Sequence, residues 1–186
     1  MSKRIAGFLF FGLSIACAHG QATTTASRQF DLQIGGQGVY AKSDYYPQAF
    51  RGAGGYATLD FTTHFGVEID FRQANSQSDA AYERTYEIGA RYHRAYGRFS
   101  PYLKALYGRG VFNFINSGVV VANLAYNEFV FGGGTDFAVL RWLNLRADYE
   151  YQSWLSFQPN NLTPQLISVG VAYHFPGGLA KGRRFR

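Results

Sequence analysis

The segment LNLRADYEYQ, Leu143 to Gln152, alternates without a fault. Leu143, Leu145, Ala147, Tyr149 and Tyr151 are apolar or aromatic, and Asn144, Arg146, Asp148, Glu150 and Gln152 are polar or charged. Successive side chains of a strand point to opposite faces, so this is a β-strand with one greasy face and one ionisable face. Such a strand needs two unlike environments, and whatever fold contains it must supply both.

The same period recurs along the chain. After residue 20 no long helical period appears, and short alternating segments separated by turn residues predict eight strands. They lie near Gln29 to Ala41, Gly52 to Thr62, Phe65 to Gln73, Ala81 to Arg94, Pro101 to Phe114, Leu124 to Val139, Leu143 to Ser153 and Pro164 to Phe175. Most are long enough to cross a bilayer at a tilt, which takes roughly 9 to 11 residues. Connections alternate in length: Thr63-His64, Ala95 to Ser100 and Leu140 to Trp142 are short or moderate, whereas 42–51, 74–80, 115–123 and 154–163 are longer. Short turns on one side and long loops on the other fit an up-and-down barrel.

Two barrels satisfy this pattern, one soluble with an oily centre and one in a membrane with a charged centre. Alternation alone does not separate them. For the membrane barrel, Arg146 turned toward mid-bilayer lipid would cost roughly 2 to 4 kcal/mol against a total stability of about 5 to 15 kcal/mol, so the charged face must be the inner one. Aromatics at the predicted strand ends favour it too. Phe30, Phe61, Tyr92, Phe137, Trp142, Tyr173 and Phe175 would form one interfacial girdle, and Tyr40, Phe71 and Trp154 the other.

The last strand, LISVGVAYHF, carries a polar residue, a glycine and two aromatics at Ser168, Gly170, Tyr173 and Phe175. That spacing resembles the C-terminal assembly signal of bacterial outer-membrane β-barrels. With the strand count, the chain resembles the small eight-stranded outer-membrane barrels of the OmpA transmembrane-domain and OmpX type. The expected fold is therefore all-β, an eight-stranded antiparallel up-and-down transmembrane β-barrel behind a cleaved signal peptide. Phe175 is followed by eleven residues, whereas in barrel-only members the aromatic usually ends the chain.

The ends agree with export. Lys3 and Arg4 precede an apolar run from Ile5 to Ala18, the form of a secretory signal with cleavage after Ala18 or Gly20. The run is shorter than the about 20 residues of a spanning helix. Cleavage at either position removes Cys17, the single cysteine. The expected organisation is a signal peptide at 1–20, an N-terminal segment at 21–28, the barrel at 29–175 and a basic periplasmic tail at 176–186.

The net charge of +6 is not a nucleic-acid signal. Lys3 and Arg4 leave with the signal, and Lys181, Arg183, Arg184 and Arg186 lie in the tail. Without these six of the 18 Lys and Arg, 12 remain against 12 Asp and Glu.

Parity then sorts the lumen. Asp31, Asp60, Glu68, Asp70, Glu83, Glu87, Glu128, Asp136, Asp148 and Glu150 face inward, opposite Arg72, Arg91, Lys104, Arg109 and Arg146, with His93 and His174 near the periplasmic mouth. An eight-stranded barrel is just wide enough for side chains to fill, so a charged plug is expected, built chiefly from Glu68, Asp70, Arg72, Glu87, Arg91, Arg109, Arg146, Asp148 and Glu150. Gly35, Gly54, Gly132 and Gly134 leave room for it. Strict alternation through KALYGRGVFNF would put Arg109 toward lipid and Phe112 and Phe114 in the lumen, so a bulge at Gly108 to Gly110 is expected to reverse both; the competing reading has Arg109 snorkelling to headgroups.

Other motifs carry little. GAGGYA at Gly52 to Ala57 fits a dinucleotide fingerprint, but a strand pattern follows where that fingerprint needs a helix. His19, His64, His93 and His174 lack paired metal spacing. Ser168 and His174 lie six residues apart, roughly 20 Å along a strand, too far for a nucleophile and its base. Asn161-Leu162-Thr163 reads as a turn. No enzyme activity, cofactor, metal or nucleic-acid partner is expected.

What the resemblance implies is a structural or surface-interaction role, in envelope integrity or adhesion, among outer-membrane lipids and lipopolysaccharide, with both termini periplasmic and assembly by the outer-membrane machinery. Loops 42–51, 115–123 and 154–163 would be the working surface, with Tyr45, Tyr46, Phe50, Val119 to Val121, Trp154, Leu155 and Phe157 unusually apolar. Those residues could equally pack on one another over the barrel mouth. The alternatives are a small transport or ligand-binding barrel and a lipid A-modifying enzyme.

Overall fold

The structure, a computed structural model, describes residues 30–44, 48–78, 80–117, 119–156 and 162–175. The expected signal peptide with Cys17, the 21–28 segment, the basic tail, and loop residues Tyr45, Tyr46 and Phe157 lie outside them.

Eight antiparallel strands close into a barrel in sequence order: β1 (Asp31–Lys42), β2 (Phe50–Asp60), β3 (Phe65–Ser76), β4 (Ala81–His93), β5 (Phe99–Asn116), β6 (Val119–Leu140), β7 (Leu143–Trp154) and β8 (Gln165–His174). Closure is completed by β1 against β8, from Gln33↔His174 to Lys42↔Gln165. Among the described residues no sheet edge remains within the wall, so the backbone groups there face a partner strand on each side. At the end holding Asp31 and His174 the connections are short. Thr62 ties one of them, its Oγ1 accepting from the Phe65 N–H at 2.8 Å.

Burial follows parity. Along β7 the residues Asn144, Arg146, Asp148, Glu150 and Gln152 are buried, while Leu145, Tyr149 and Tyr151 are exposed. All ten acids expected inward are buried, and Ile34, Ile69, Ile88, Leu103, Phe131, Ile167, Val169 and Val171 form the exposed wall. This is the inverse of a soluble core: ionisable groups enclosed, hydrocarbon outward. Near the short-turn end, Phe65 and Tyr92, Phe99 and Phe137, and Tyr173 and Phe175 pack with ring centroids 5.3, 4.8 and 4.8 Å apart. At the other end Phe71 meets Tyr86, and Tyr107 meets Phe129, both at 5.1 Å.

Four expectations need correction. The bulge at Gly108 to Gly110 is absent: β5 pairs with β4 without interruption from Ala81↔Phe114 to His93↔Tyr102, and its irregularity with β6 falls at Phe114/Ile115. Arg109 therefore faces outward, and Phe112 inward. The physical reason is space. A Cβ on Gly108 would lie 2.9 Å from the Cγ of Glu87, and one on Gly110 would overlap the indole of Trp154, so both glycines must face the lumen to admit neighbouring side chains.

Next, 115–123 is not a loop, because β5 runs to Asn116 and β6 resumes at Val119, with Ser117 at φ 51°. Trp154 belongs to no girdle, being the fully buried last residue of β7. Phe50, expected at the loop surface, is likewise fully buried.

Candidate functional site

The interior has two layers of different chemistry. Through the middle of the barrel the layer is ionic. Arg72 on β3 donates to Asp70 on its own strand (Nη2 to Oδ2, 2.5 Å) and to Glu150 on β7 (Nη2 to Oε1, 2.5 Å), and lies 3.4 Å from Glu87 on β4. Lys104 on β5 donates to Glu68 at 2.8 Å and contacts Asp148 and Glu150. Arg146 on β7 donates from Nε to Asp136 Oδ1 at 2.9 Å and from Nη1 to Glu68 Oε2 at 3.0 Å, and Arg91 contacts the same Asp136. In a ring of eight, β3 and β7 stand opposite, so Arg72–Glu150 and Arg146–Glu68 bridge the full diameter.

Desolvated charges repay their loss of water only when their remaining lone pairs and protons are also met. Here each cation serves several acids, and two tyrosines complete the shell. The Arg146 guanidinium lies 3.8 Å over the ring of Tyr56, and that of Arg91 lies 4.1 Å over Tyr102. Neither tyrosine was singled out by the sequence reading. Their signal was available in parity, since both sit at inward positions opposite glycines, Tyr56↔Gly35 and Tyr102↔Gly134. A Cβ on Gly35 would come within 2.5 Å of the Tyr56 ring and one on Gly134 within 2.7 Å of the Tyr102 hydroxyl. These glycines make room for side chains on adjacent strands rather than for groups across the lumen.

Of the nine residues expected to build the charged plug, eight meet in this network. Arg109 does not, because it is on the outer wall. Carboxylate oxygens of Asp70, Glu87 and Glu150 gather within 4.8 Å of one another, a spacing that a metal ion could use. The Arg72 guanidinium already contacts all three.

At the short-turn mouth, His174 contacts Asp31 through Nε2 (2.5 Å) and the Arg141 carbonyl through Nδ1 (3.0 Å), and His93 lies 3.4 Å from Asp60. Two of the ten enclosed acids are thus met by histidines. Buried oxygens of Glu83, Thr85 and Glu128, further toward the long-loop end, meet no donor among the described residues.

Above them the lumen turns apolar. Val39, Ala41, Phe50, Ala74, Ala81, Phe112, Trp154, Leu162 and Leu166 form one buried cluster, with Phe114, Leu124 and Tyr126 packed against it. Phe50 and Phe112 meet edge to face at 5.5 Å. Trp154 joins the two layers: its Nε1 donates to Gln152 Oε1 at 3.0 Å, and Gln152 Nε2 donates to Glu87 Oε1 at 3.1 Å. Leu162 is folded back into this cap by the bond from Trp154 N–H to its carbonyl, 2.8 Å. Asp44 then ties the loops after β1 and β7 together, accepting from the Thr163 N–H at 3.1 Å and hydroxyl at 2.8 Å.

In the last strand Ser168 and Gly170 face the lumen, Tyr173 faces out, and Phe175 follows the strand end beside it. Beyond the wall, β6 outgrows its neighbour: its pairing with β7 starts at Glu128↔Trp154, so among the described residues Val119 to Ala125 have no partner strand on that side.

Residues 8–175 match the outer membrane protein beta-barrel domain family. No curated protein matches the sequence. Among solved structures, Neisserial surface protein A superposes with a TM-score of 0.62 at 18% identity, covering 79% of this chain and 97% of that one. The N-terminal β-barrel domain of Pseudomonas aeruginosa OprF gives 0.57 at 12% identity, with 77% and 97% covered, and OprG from the same organism 0.54 at 13%, with 80% and 97%. At these identities the likeness is one of fold.

Proposed function

The chain belongs to the outer membrane protein beta-barrel domain family, and from that premise we propose that it is a non-enzymatic surface-interaction protein of the bacterial outer membrane. Both termini are periplasmic in this reading, and the β5–β6 hairpin stands on the cell exterior. Ser168, Gly170, Tyr173 and Phe175 act as its label for the outer-membrane assembly machinery.

The observation that carries this reading is the hairpin. Val119, Val120 and Val121 are 64%, 47% and 62% exposed at its tip, on a strand whose far edge is open through Ala125 among the described residues. Unpaired N–H and C=O groups in a row are a template for an added strand, and the exposed valines supply apolar contact beside it. The barrel's part is support: ionic bridges across the diameter and an apolar cap above them favour a closed post over a channel.

Replacing residues 117–122 with a Gly-Ser turn of equal length tests the proposal. Expressed in a non-adherent bacterium, the native chain should confer binding to cultured host cells or immobilised serum and matrix proteins, and the variant should lose it while keeping heat-modifiable migration on gels. Equal binding by both would overturn the assignment of the hairpin.

A further inference from the structure

The outward position of Arg109 has a neighbour that gives it a purpose. Arg84 on β4 pairs with Val111, and Arg109 lies two residues back along β5, so the two arginines are diagonal neighbours on the outer wall, about 7 to 8 Å apart in a regular sheet. Arg84 is held in place: its Nε and Nη2 donate to Gln73 Oε1 at 3.1 and 2.6 Å, and its guanidinium lies 5.5 Å from the Tyr82 ring. Arg109 is flanked by Tyr86 on β4 and Asn127 on β6.

Neither arginine has a carboxylate partner among the described residues, because ten described acids are enclosed in the lumen and the eleventh, Asp44, is bonded to Thr163. Adjacent like charges on a wall with no acid are unfavourable unless an outside anion joins them. The level in the wall identifies that anion. Immediately toward the short-turn end come Tyr107, Phe129 and Ile88, then Phe131 and Leu103, all exposed. The outward residues Tyr149, Tyr151 and Ile167 of β7 and β8 are uncharged, and the other outward cations toward the long-loop end, Lys42 and Arg51, lie on β1 and β2.

We propose that Arg84 and Arg109 form a one-sided site for the phosphorylated sugar headgroup of an outer-leaflet glycolipid, lipopolysaccharide being the source. The planar guanidinium forks take the phosphate oxygens in paired hydrogen bonds. The side-chain amides of Gln73 and Asn127 flank them for sugar hydroxyls, and the acyl chains lie along the aromatic and aliphatic wall below. This rests on the proposed orientation, in which the hairpin end faces the cell exterior.

The test uses the folded full-length protein in detergent with purified lipopolysaccharide, the same material dephosphorylated, or phosphatidylglycerol, read by gel shift or thermal stabilisation. Phosphorylated lipopolysaccharide should bind the native chain. Arg84→Gln with Arg109→Gln should weaken it about 30-fold, as should dephosphorylation. Lys42→Gln with Arg51→Gln, which removes the same charge from β1 and β2, should leave binding near the native level. Undiminished binding by the first variant, equal loss in the second, or phosphatidylglycerol binding as tightly as lipopolysaccharide would each overturn the site. Retained heat-modifiable migration shows that each variant is folded. Protease cleavage of the hairpin on intact cells reads the orientation separately, so failure of the surface reading and failure of the lipid site are distinguishable.

Discussion

The indole of Trp154 occupies the space that a Cβ on Gly110 would need, although the two residues stand on strands separated by β6. This contact makes Gly110 face inward, and with it Gly108, so that Arg109 between them can only face out. Gly110→Ala should therefore destabilise the barrel by about 1 to 3 kcal/mol through overpacking. Gly36→Ala, on the outer wall with its nearest atom 3.7 Å from the added carbon, should be tolerated. Urea unfolding in detergent, followed by the loss of heat-modifiable migration, measures both.

Arg72 gathers Asp70, Glu87 and Glu150. Arg72→Met leaves those enclosed acids without their shared guanidinium and should cost about 3 to 5 kcal/mol. Adding Glu150→Met should recover part of that loss, because it removes one of the stranded charges. A double-mutant cycle on unfolding free energies checks the sign; additive losses would mean that the two residues do not interact.

The two tryptophans report opposite sides of the wall. Trp142 is 47% exposed on the outer face, and Trp154 is fully buried in the cap. In bilayers of brominated lipid, emission from the Trp154→Phe variant should be strongly quenched, and emission from Trp142→Phe should resist quenching. The reverse result would mean that the barrel is inside out.

Asp44 fastens the loop after β1 to the loop after β7 through Thr163. Asp44→Ala should cost no more than about 1 to 2 kcal/mol of global stability, since the bonds are exposed. It should nonetheless speed protease nicking between residues 155 and 165, as the loop loses its tether. An unchanged nicking rate would show that Leu162 alone holds the segment down.

Period two was legible in the residues because strand geometry is local. Once a segment such as Leu143 to Gln152 is extended, its own alternation assigns each side chain to a face. The large free-energy difference between placing Arg146 in lipid and in the lumen then chooses which face is inside. Eight strands, their order round the barrel and ten enclosed acids follow from that single period. What lay beyond it was every fact that depends on which residues of different strands stand side by side. Local reasoning weighed Arg109 by the cost of its charge and expected a bulge. The register instead brings Glu87 and Trp154 against Gly108 and Gly110, and the volume of those two side chains decides the matter. Register likewise makes Phe50, Phe112, Trp154 and Leu162 a cap, and lets β3 and β7 exchange ion pairs across the diameter, because cross-strand neighbours are chosen by closure of the whole barrel and by no stretch of chain alone.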